Sequence, residues 1–500
     1  MASGKSLMDN DSRESSLLGR GVLGQDYGMC NNVVKTGVQS DRVGIKNDFC
    51  IFIDCTDTTI IGSNPGIQRV VSNIVCRAEA TGRRLGCSCI PVVMFNGDFW
   101  PVAAIPSARF YGKAVSRLYE IGKNFYRKIE TAIKSETISP DKLPRRNSAY
   151  GKKTGSIKVL LQKYSRNLFF LPLWIMPLFK QEFKIRFNKN DILLLPDAFW
   201  VDSDFCKVLQ KSKEAGTLII PVIHDLIPLT HPQFNNEEYN ERFKKNFHKL
   251  ICVANGVITL SQTGKSELGD FVSCHFSKSI SHFPIEYFYH GSDFRREEKG
   301  GDISLRSRVL SLISGRKPYL AVGTIEPRKG YETILDAFNH LWENGINSPL
   351  CIVGKIGGGV DHVMKKINKS KYLNKNLFVF HDINDSELVV LYKNSKSLIF
   401  ASAAEGFGLP LVEAMHYKLP VIASDIPIFR EIGRDYPVYF SQGNVEALIN
   451  AVSSFEMLGV VEHPSVEWIS WDESIQMLFE KVLLINSARE DLTVAANCRE

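Results

Sequence analysis

Five hundred residues exceed what a single hydrophobic core serves, so the chain is expected to divide into two or more domains. Its 44% hydrophobic and 23% charged residues are the balance of a globular protein. The net charge of +7 is unevenly spread: residues 109–189 hold 19 Lys or Arg against 5 Asp or Glu, so the remainder is net acidic and an anionic partner is expected at this basic segment.

Residues 1–44 are rich in Ser, Gly, Asn and Asp and read as a disordered leader. Lys5 is followed by Asp9, Asp11, Arg13 and Glu14 rather than by an apolar run, which does not fit a secretory signal, and a cytoplasmic location is expected. The eleven cysteines are scattered, with no CxxC pair, and read as reduced thiols; Cys87 and Cys89 have no accompanying zinc-spaced cluster.

Asp48 to Cys55 reads as a buried strand, Ile61 to Gly66 as a turn, and Ile67 to Val75 as a helix, the opening of a Rossmann unit. Further strand candidates are Cys89–Met94, Asp191–Pro196, Thr217–Ile223 and Gly256–Leu260, which together predict a parallel sheet covered by helices. The apolar run Leu168 to Phe179 is too short to cross a bilayer core of ~30 Å, and it reads either as packed core or as a segment dipping into a membrane interface. Asp202 and Asp204 form a DxD that N-capping of a helix explains.

A charged stretch from Ser292 to Arg308 reads as an interdomain linker. Five strands are expected after it, at Pro318–Val322, Pro349–Val353, Leu377–Phe380, Ser397–Phe400 and Pro420–Ala423, with a helix over Tyr331 to Asn344 among the intervening ones. The chain is thus expected to form two doubly wound α/β halves, with ligands bound beyond the carboxyl ends of the strands in the cleft between them.

The strongest local signal is Ala403-Ala-Glu-Gly-Phe-Gly-Leu-Pro-Leu-Val-Glu-Ala-Met415. Gly406 and Gly408 let backbone approach a ligand, and the helix that starts near Leu409 offers unpaired N–H groups to phosphate oxygens. Glu405 is placed to grip sugar hydroxyls and Glu413 to accept from a ribose; a helix cap and a solvated helical acid would leave the same pattern. After the first strand of this half, Val322-Gly-Thr-Ile-Glu-Pro-Arg-Lys-Gly330 sets Arg328 and Lys329 beside a glycine turn at Gly323, where two cations can neutralise a diphosphate.

These motifs together resemble the nucleotide-binding domain of family 4 glycosyltransferases, whose hallmark is a Glu-x7-Glu pair preceded by an Arg-Lys-Gly loop. The resemblance runs over roughly residues 48–487 apart from the basic insertion. It implies a GT-B fold: an N-terminal Rossmann-like acceptor domain over 45–300, interrupted at about 109–189, and a nucleotide-sugar domain over 301–470. A terminal helix over 471–487 would cross back to the first domain. In the family the first glutamate contacts the transferred sugar and the second the ribose, which implies those roles for Glu405 and Glu413. The turn ending at Ile383 and the Phe407–Leu409 segment would border the base and phosphates. Gly66-Ile-Gln-Arg-Val70 is similar to the family loop that closes over diphosphate and acceptor, which brings in Gly66 and Ile67, and Pro221 to Pro228 to its His-Asp turn, with His224 against the donor sugar and Asp225 beside it. A lone histidine at a strand end is otherwise more often structural. Ser261 takes the place of a family serine on a loop facing the cleft.

What the resemblance implies is a retaining hexosyltransferase that needs no metal and no cofactor beyond its nucleotide-sugar donor. GDP-mannose is the first choice, since the Gly66 and His224 motifs resemble those of bacterial mannosyl- and deoxymannosyltransferases of surface polysaccharide, lipopolysaccharide among them. The acceptor would be a lipid-linked or polymeric glycan, with residues 109–189 on an anionic membrane surface at the inner face and no nucleic-acid partner. A deoxyhexose transferase, or a catalytically silent GT-B protein that binds a membrane or partner, are the alternatives.

Overall fold

The computed structural model describes residues 49–61, 66–95, 97–102, 184–199, 205–276, 284–293, 307–458 and 466–497. The leader, the Leu168–Phe179 run, nearly all of the basic insertion, and Asp202 with Asp204 lie outside the described residues.

Two sheets organise the chain. The first has the order β3-β2-β1-β4-β5-β6-β7 and consists of β1 (Cys50–Asp54), β2 (Ser88–Phe95), β3 (Asp98–Pro101), β4 (Ile192–Leu195), β5 (Leu218–Ile223), β6 (Val257–Thr259) and β7 (Ile285–Tyr287). Every pairing in it is parallel except β2 with β3, a short hairpin on the edge in which Val93 lies opposite Trp100. The sequence indicates a parallel sheet, and β3 departs from it because the two residues between Phe95 and Asp98 leave room only to turn back on the same strand. Strands β3 and β7 have three or four residues each, too few for a period to show.

The second sheet is parallel throughout, in the order β10-β9-β8-β11-β12-β13. Its strands are β8 (Tyr319–Val322), β9 (Leu350–Val353), β10 (Leu377–Phe380), β11 (Ser397–Phe400), β12 (Val421–Ser424) and the unanticipated β13 (Val438–Phe440). Each sheet runs outward from its first strand in one direction, then reverses to continue on the other side. The reversal falls between β1 and β4 in the first and between β8 and β11 in the second. At such a switch point the loops leave in opposite directions, which opens a crevice at the carboxyl ends of those strands.

Helices α1 (Thr56–Ile61), α2 (Ile67–Leu85), α3 (Phe205–Glu214), α4 (Ile227–Thr230), α5 (Glu237–Val253) and α6 (Gln262–His275) serve the first sheet. The expected passage from turn straight to helix after β1 is modified by α1, one short helix ahead of the Gly66 turn. The second sheet carries α7 (Ser307–Ser314), α8 (Tyr331–Glu343), α9 (Asp361–Lys369), α10 (Asp385–Asn394), α11 (Leu409–His416), α12 (Pro427–Gly433) and α13 (Val445–Leu458), and the final helix is α14 (Trp471–Asn497).

Alternation along the strands separates the cores. On β1, Ile51 and Ile53 join a central apolar cluster, while Cys50 and Phe52 join one on the opposite face of the sheet. A third cluster lies on the far face of the second sheet, under α8 and α13. Because both faces are covered, each strand reads as a continuous apolar run rather than an alternating one. The central cluster includes residues of both sheets and of α14, whose Trp471, Ile475, Leu478, Phe479, Val482 and Ile485 recur at helical spacing and are all buried.

Helix α14 packs on α2 and is anchored at its start to the first sheet's last segment. The Trp471 amide donates to Asp293 Oδ1 at 2.6 Å, Ser474 Oγ to the Tyr289 carbonyl at 2.6 Å, and Trp468 Nε1 to the His290 carbonyl at 2.7 Å. Ser292 and Asp293, which open the stretch read as a linker, are therefore fixed; residues 294–306 of that stretch are not described. A second tie joins the sheets: Glu431 of α12 accepts from the amides of Gln262 and Thr263, both at 2.7 Å, and from Tyr289 Oη at 2.9 Å. The carboxylate satisfies otherwise open N–H groups at the first turn of α6.

A β-carbon at Gly291 would lie 2.3 Å from the Trp471 backbone nitrogen. Backbone on both sides leaves no flexible group to yield. Gly291→Ala is expected to lower unfolding stability by about 1–3 kcal/mol, read from the urea midpoint, and a wild-type midpoint would mean α14 is not held this tightly.

Candidate active site

Two loops at the switch point of the second sheet build the site. After β8, Gly323 takes φ +146° and its carbonyl accepts from Tyr331 Oη at 2.6 Å; the chain then makes one 3-10 turn, Pro327–Lys329, closed by Gly330 in the left-handed region. A β-carbon on Gly330 would meet the Ala401 carbonyl at 2.2 Å, so glycine lets this loop lie directly on the one after β11. Their backbones are joined, Ala403 N to Arg328 O at 2.7 Å.

This contact brings together three ionic side chains. Glu405, only 7% exposed, accepts from Arg328 Nη1 at 2.8 Å on Oε2, and on Oε1 from Lys329 Nζ and from Ser402 Oγ at 2.7 Å. Burial alone would raise the Glu405 pKa, but the charges of Lys329 and Arg328 outweigh it and hold the carboxyl at about 2. Burial pulls the Lys329 ammonium down from its ordinary value against the pull of Glu405, whereas Arg328 is pushed up because Glu405 and Glu326 overcome its desolvation. Arg328 also donates to Glu326 Oε1 at 2.7 Å and to the Ala404 carbonyl at 3.0 Å, so its guanidinium is fixed in plane.

The first sheet meets these loops at Gly406, where a β-carbon would lie 2.1 Å from the His224 carbonyl. His224 leaves the end of β5, is buried, and its Nε2 stands 2.7 Å from the Pro196 carbonyl. A carbonyl only accepts, so Nε2 carries the proton; burial lowers the imidazole pKa and keeps the ring neutral. Asp225 Oδ1 accepts from the Ile227 amide at 3.1 Å at the start of α4. Gly408 (φ +100°) is the N-cap of α11 and abuts the Phe429 ring, and Leu409 begins the helix half-buried. The Phe407 side chain packs between the sheets with Tyr289, His290 and Trp468.

Glu413 lies one turn into α11, 2% exposed, with Tyr392 Oη donating to Oε2 at 2.7 Å and Arg69 Nη1 of α2 bonded to Oε1. Burial raises its pKa against the opposing charge of Arg69. Gly66, exposed with φ +85°, is the N-cap of α2, and Ile67, half-buried, begins that helix on the central cluster. Ile383 follows β10 and is half-buried against the same cluster.

Ser261 is fully buried, and its Oγ accepts from the Gly264 amide at 2.9 Å as the N-cap of α6. A serine directly before a helix satisfies the helix's own open donors, and from sequence that role cannot be told from a ligand-facing one.

Sequence reading passed over a group of acids at the carboxyl ends of β1 and β4. Asp54, Asp57 and Asp197 are all buried. Asp197 accepts from the Thr58 amide at 2.7 Å and the Ala198 amide at 2.9 Å, and Asp54 from Thr56. Burial, and for Asp54 also the Asp197 charge, raises Asp54 to about 7 and Asp197 to about 6. The available signal was an acid at the end of each of two apolar strands, Cys-Ile-Phe-Ile-Asp54 and Leu-Leu-Leu-Pro-Asp197, which become neighbours only when β1 pairs with β4. Among the described residues no His, Cys, Asp or Glu group has the arrangement of a metal site.

In an α/β protein of two doubly wound sheets ligands bind in the crevice outside the carboxyl ends of the strands at the switch point, which is where the buried ion triad stands. Residues 306–463 match the family described as Glycosyl transferases group 1. Over 319 residues the chain is 33% identical to the serotype-specific mannosyltransferase WbdA of Escherichia coli, a match covering 61% of this chain and 38% of that protein. It is 26% identical over 242 residues to the O-antigen chain mannosyltransferase RfbU of Salmonella typhimurium, covering 47% and 60%. Alignment to the structure of a sucrose-phosphate synthase from Thermosynechococcus elongatus covers 90% of this chain and all of that one, at 13% identity and a TM-score of 0.48, too loose to add to the topology itself. The second sheet and its helices are therefore a glycosyltransferase group 1 domain, and O-antigen mannosyltransferases are relatives of this chain. The chain spans less than two fifths of the length of the WbdA proteins it matches.

The acids make a testable demand. Unfolded, both carboxyls titrate near pH 4, so the folded state holds extra protons up to about pH 7 at Asp54, and this contribution to stability is lost as pH rises from about 4 to 7. Buried neutral His224 and His290 act in the opposite sense, so the informative quantity is a difference between proteins. Asp54→Asn is expected to gain stability relative to wild type between pH 5 and pH 8 in urea titrations, by at least the ~1.4 kcal/mol of a one-unit shift. A constant difference across that range would contradict the raised pKa.

Proposed function

We propose that the chain is a retaining glycosyltransferase that moves a hexose, mannose first, from a nucleotide sugar to a lipid-linked or polymeric glycan. GDP-mannose is the favoured donor. The observation that carries this reading is the buried Glu405 carboxylate between Arg328 and Lys329, at the switch point of a glycosyltransferase group 1 domain, with the next residue, Gly406, against the His224 turn of the facing sheet. The names of the related proteins, mannosyltransferases of O-antigen or serotype, support the sugar and the polymeric acceptor.

In this reading the triad exchanges partners when the donor binds. Arg328 and Lys329 turn to the diphosphate, and Glu405 accepts from hydroxyls of the transferred sugar. At rest Arg328 and Lys329 are balanced by Glu405 and Glu326, so in this reading positive charge becomes available, as Glu405 turns to the sugar, to a leaving group that grows more anionic as the glycosidic bond lengthens. Fixed cations in a closed, poorly solvated cleft stabilise that charge without reorganisation. Neutral His224 donates through Nε2 to Pro196, leaving Nδ1 as an acceptor for a sugar hydroxyl. The acceptor hydroxyl attacks the face from which the diphosphate leaves and passes its proton to a leaving-group oxygen, which retains the anomeric configuration. Arg328 and Lys329 supply the charge a divalent ion would bring, so the reaction runs without metal. Residues 109–189 are proposed to face the membrane that carries the acceptor.

Glu405→Ala and Arg328→Ala are each expected to reduce sugar release from GDP-mannose by about 10²–10³-fold, with the unfolding transition retained. Near-normal turnover in either would remove the triad from the site. Wild-type rate is expected to persist in EDTA; its loss, restored by magnesium, would overturn the metal-free reading.

A further inference from the structure

Arg69 stands in the first turn of α2, three residues after Gly66, and its guanidinium crosses between the two sheets to Glu413, 344 positions away in sequence. The next residues, Val70 and Val71, are buried in the central cluster, so the first turn of α2 is packed and Arg69 departs from a fixed base. Both oxygens of Glu413 are engaged, Oε1 by Arg69 and Oε2 by Tyr392 Oη, and the carboxylate is 2% exposed. Asp385, at the first turn of α10, adds a second negative charge near the guanidinium.

A ribose seeking the Glu413 carboxylate, the role that the family resemblance implies for it, finds both oxygens already bonded and the group closed off from solvent. The diol has two O–H donors and needs acceptor positions within hydrogen-bond distance. Tyr392 comes from α10 of the same domain and can remain. Arg69 comes from the other domain, so its bond with Glu413 also ties α2 to α11 at the carboxylate that the ribose needs. We propose that Arg69 is a positioning residue of the donor site: it latches Glu413 while the site is empty and is displaced by the ribose diol, so that donor binding opens the contact between α2 and α11. The proposal rests on the donor reading of Glu413 and adds the group with which the ribose must compete.

Such competition lowers apparent affinity by the fraction of molecules in which the latch is open. Removing the latch then strengthens nucleotide binding, the reverse of what loss of a ligand contact does. The test is calorimetric titration of the full chain with GDP and with UDP. Arg69→Gln is expected to bind about tenfold more tightly than wild type, a competent fraction of about one tenth. Arg69→Lys keeps the charge but not the planar fork, and is expected to fall between the two. Glu413→Gln is expected to bind more weakly than wild type, because loss of the charged ribose acceptor outweighs release of the latch. Hydrogen exchange supplies the structural readout: GDP or UDP should accelerate exchange in the first turn of α2 in wild type and leave it unchanged in Arg69→Gln. Weaker or equal nucleotide binding by Arg69→Gln, with wild type binding normally, overturns the latch alone. If wild type binds neither nucleotide, the donor reading of Glu413 falls, and the latch with it.

Discussion

Glu405 is a carboxylate almost wholly removed from water, and its burial is tolerable only because Arg328 and Lys329 arrive from another loop to surround it. That requirement constrains much of the second domain. The loops after β8 and β11 must lie side by side, which parallel pairing of those two strands enforces, and one must rest on the other's backbone, which Gly330 permits. Breaking the sheet order would leave Glu405 and Lys329 without their ion pairs, so the topology and the ion triad support each other.

The same geometry is repeated in weaker form on the facing sheet. Its switch point, between β1 and β4, gathers acids rather than a balanced triad, and Asp54 and Asp197 meet the cost of burial by holding protons rather than by pairing with cations. The two crevices therefore differ in electrostatic character. One holds cations paired with carboxylates, and the other holds carboxyl groups near a neutral His224.

Between them, the domains are joined by unlike contacts. Apolar and aromatic packing around Phe407, His290, Trp468 and Trp471 is non-directional and tolerates small rotations, whereas Glu431 at the first turn of α6 and Arg69 at Glu413 are directional and break in discrete steps. Contacts of the two kinds allow a few defined arrangements rather than a continuum, which would suit the proposed admission of a nucleotide sugar.

The strands were legible because burial on both faces makes each one a continuous apolar run: Leu377–Phe380 and Ser397–Phe400 have the ends that the sequence indicates, and β3, β7 and β13 escaped notice because they are short edge segments. Gly323, Arg328, Lys329, Glu405 and Glu413 stood out because their spacing is local, within one loop or one loop and helix turn. Sequence alone determined these residue types and their order along two α/β halves. Tertiary structure decided the partners: that Ser261 caps a helix, that Asp54 meets Asp197, that Glu431 bridges domains and that Arg69 closes on Glu413. Those pairs are separated by between 142 and 344 positions or depend on where a helix begins, and a hydrogen bond's identity is set by distances that only the packed chain defines.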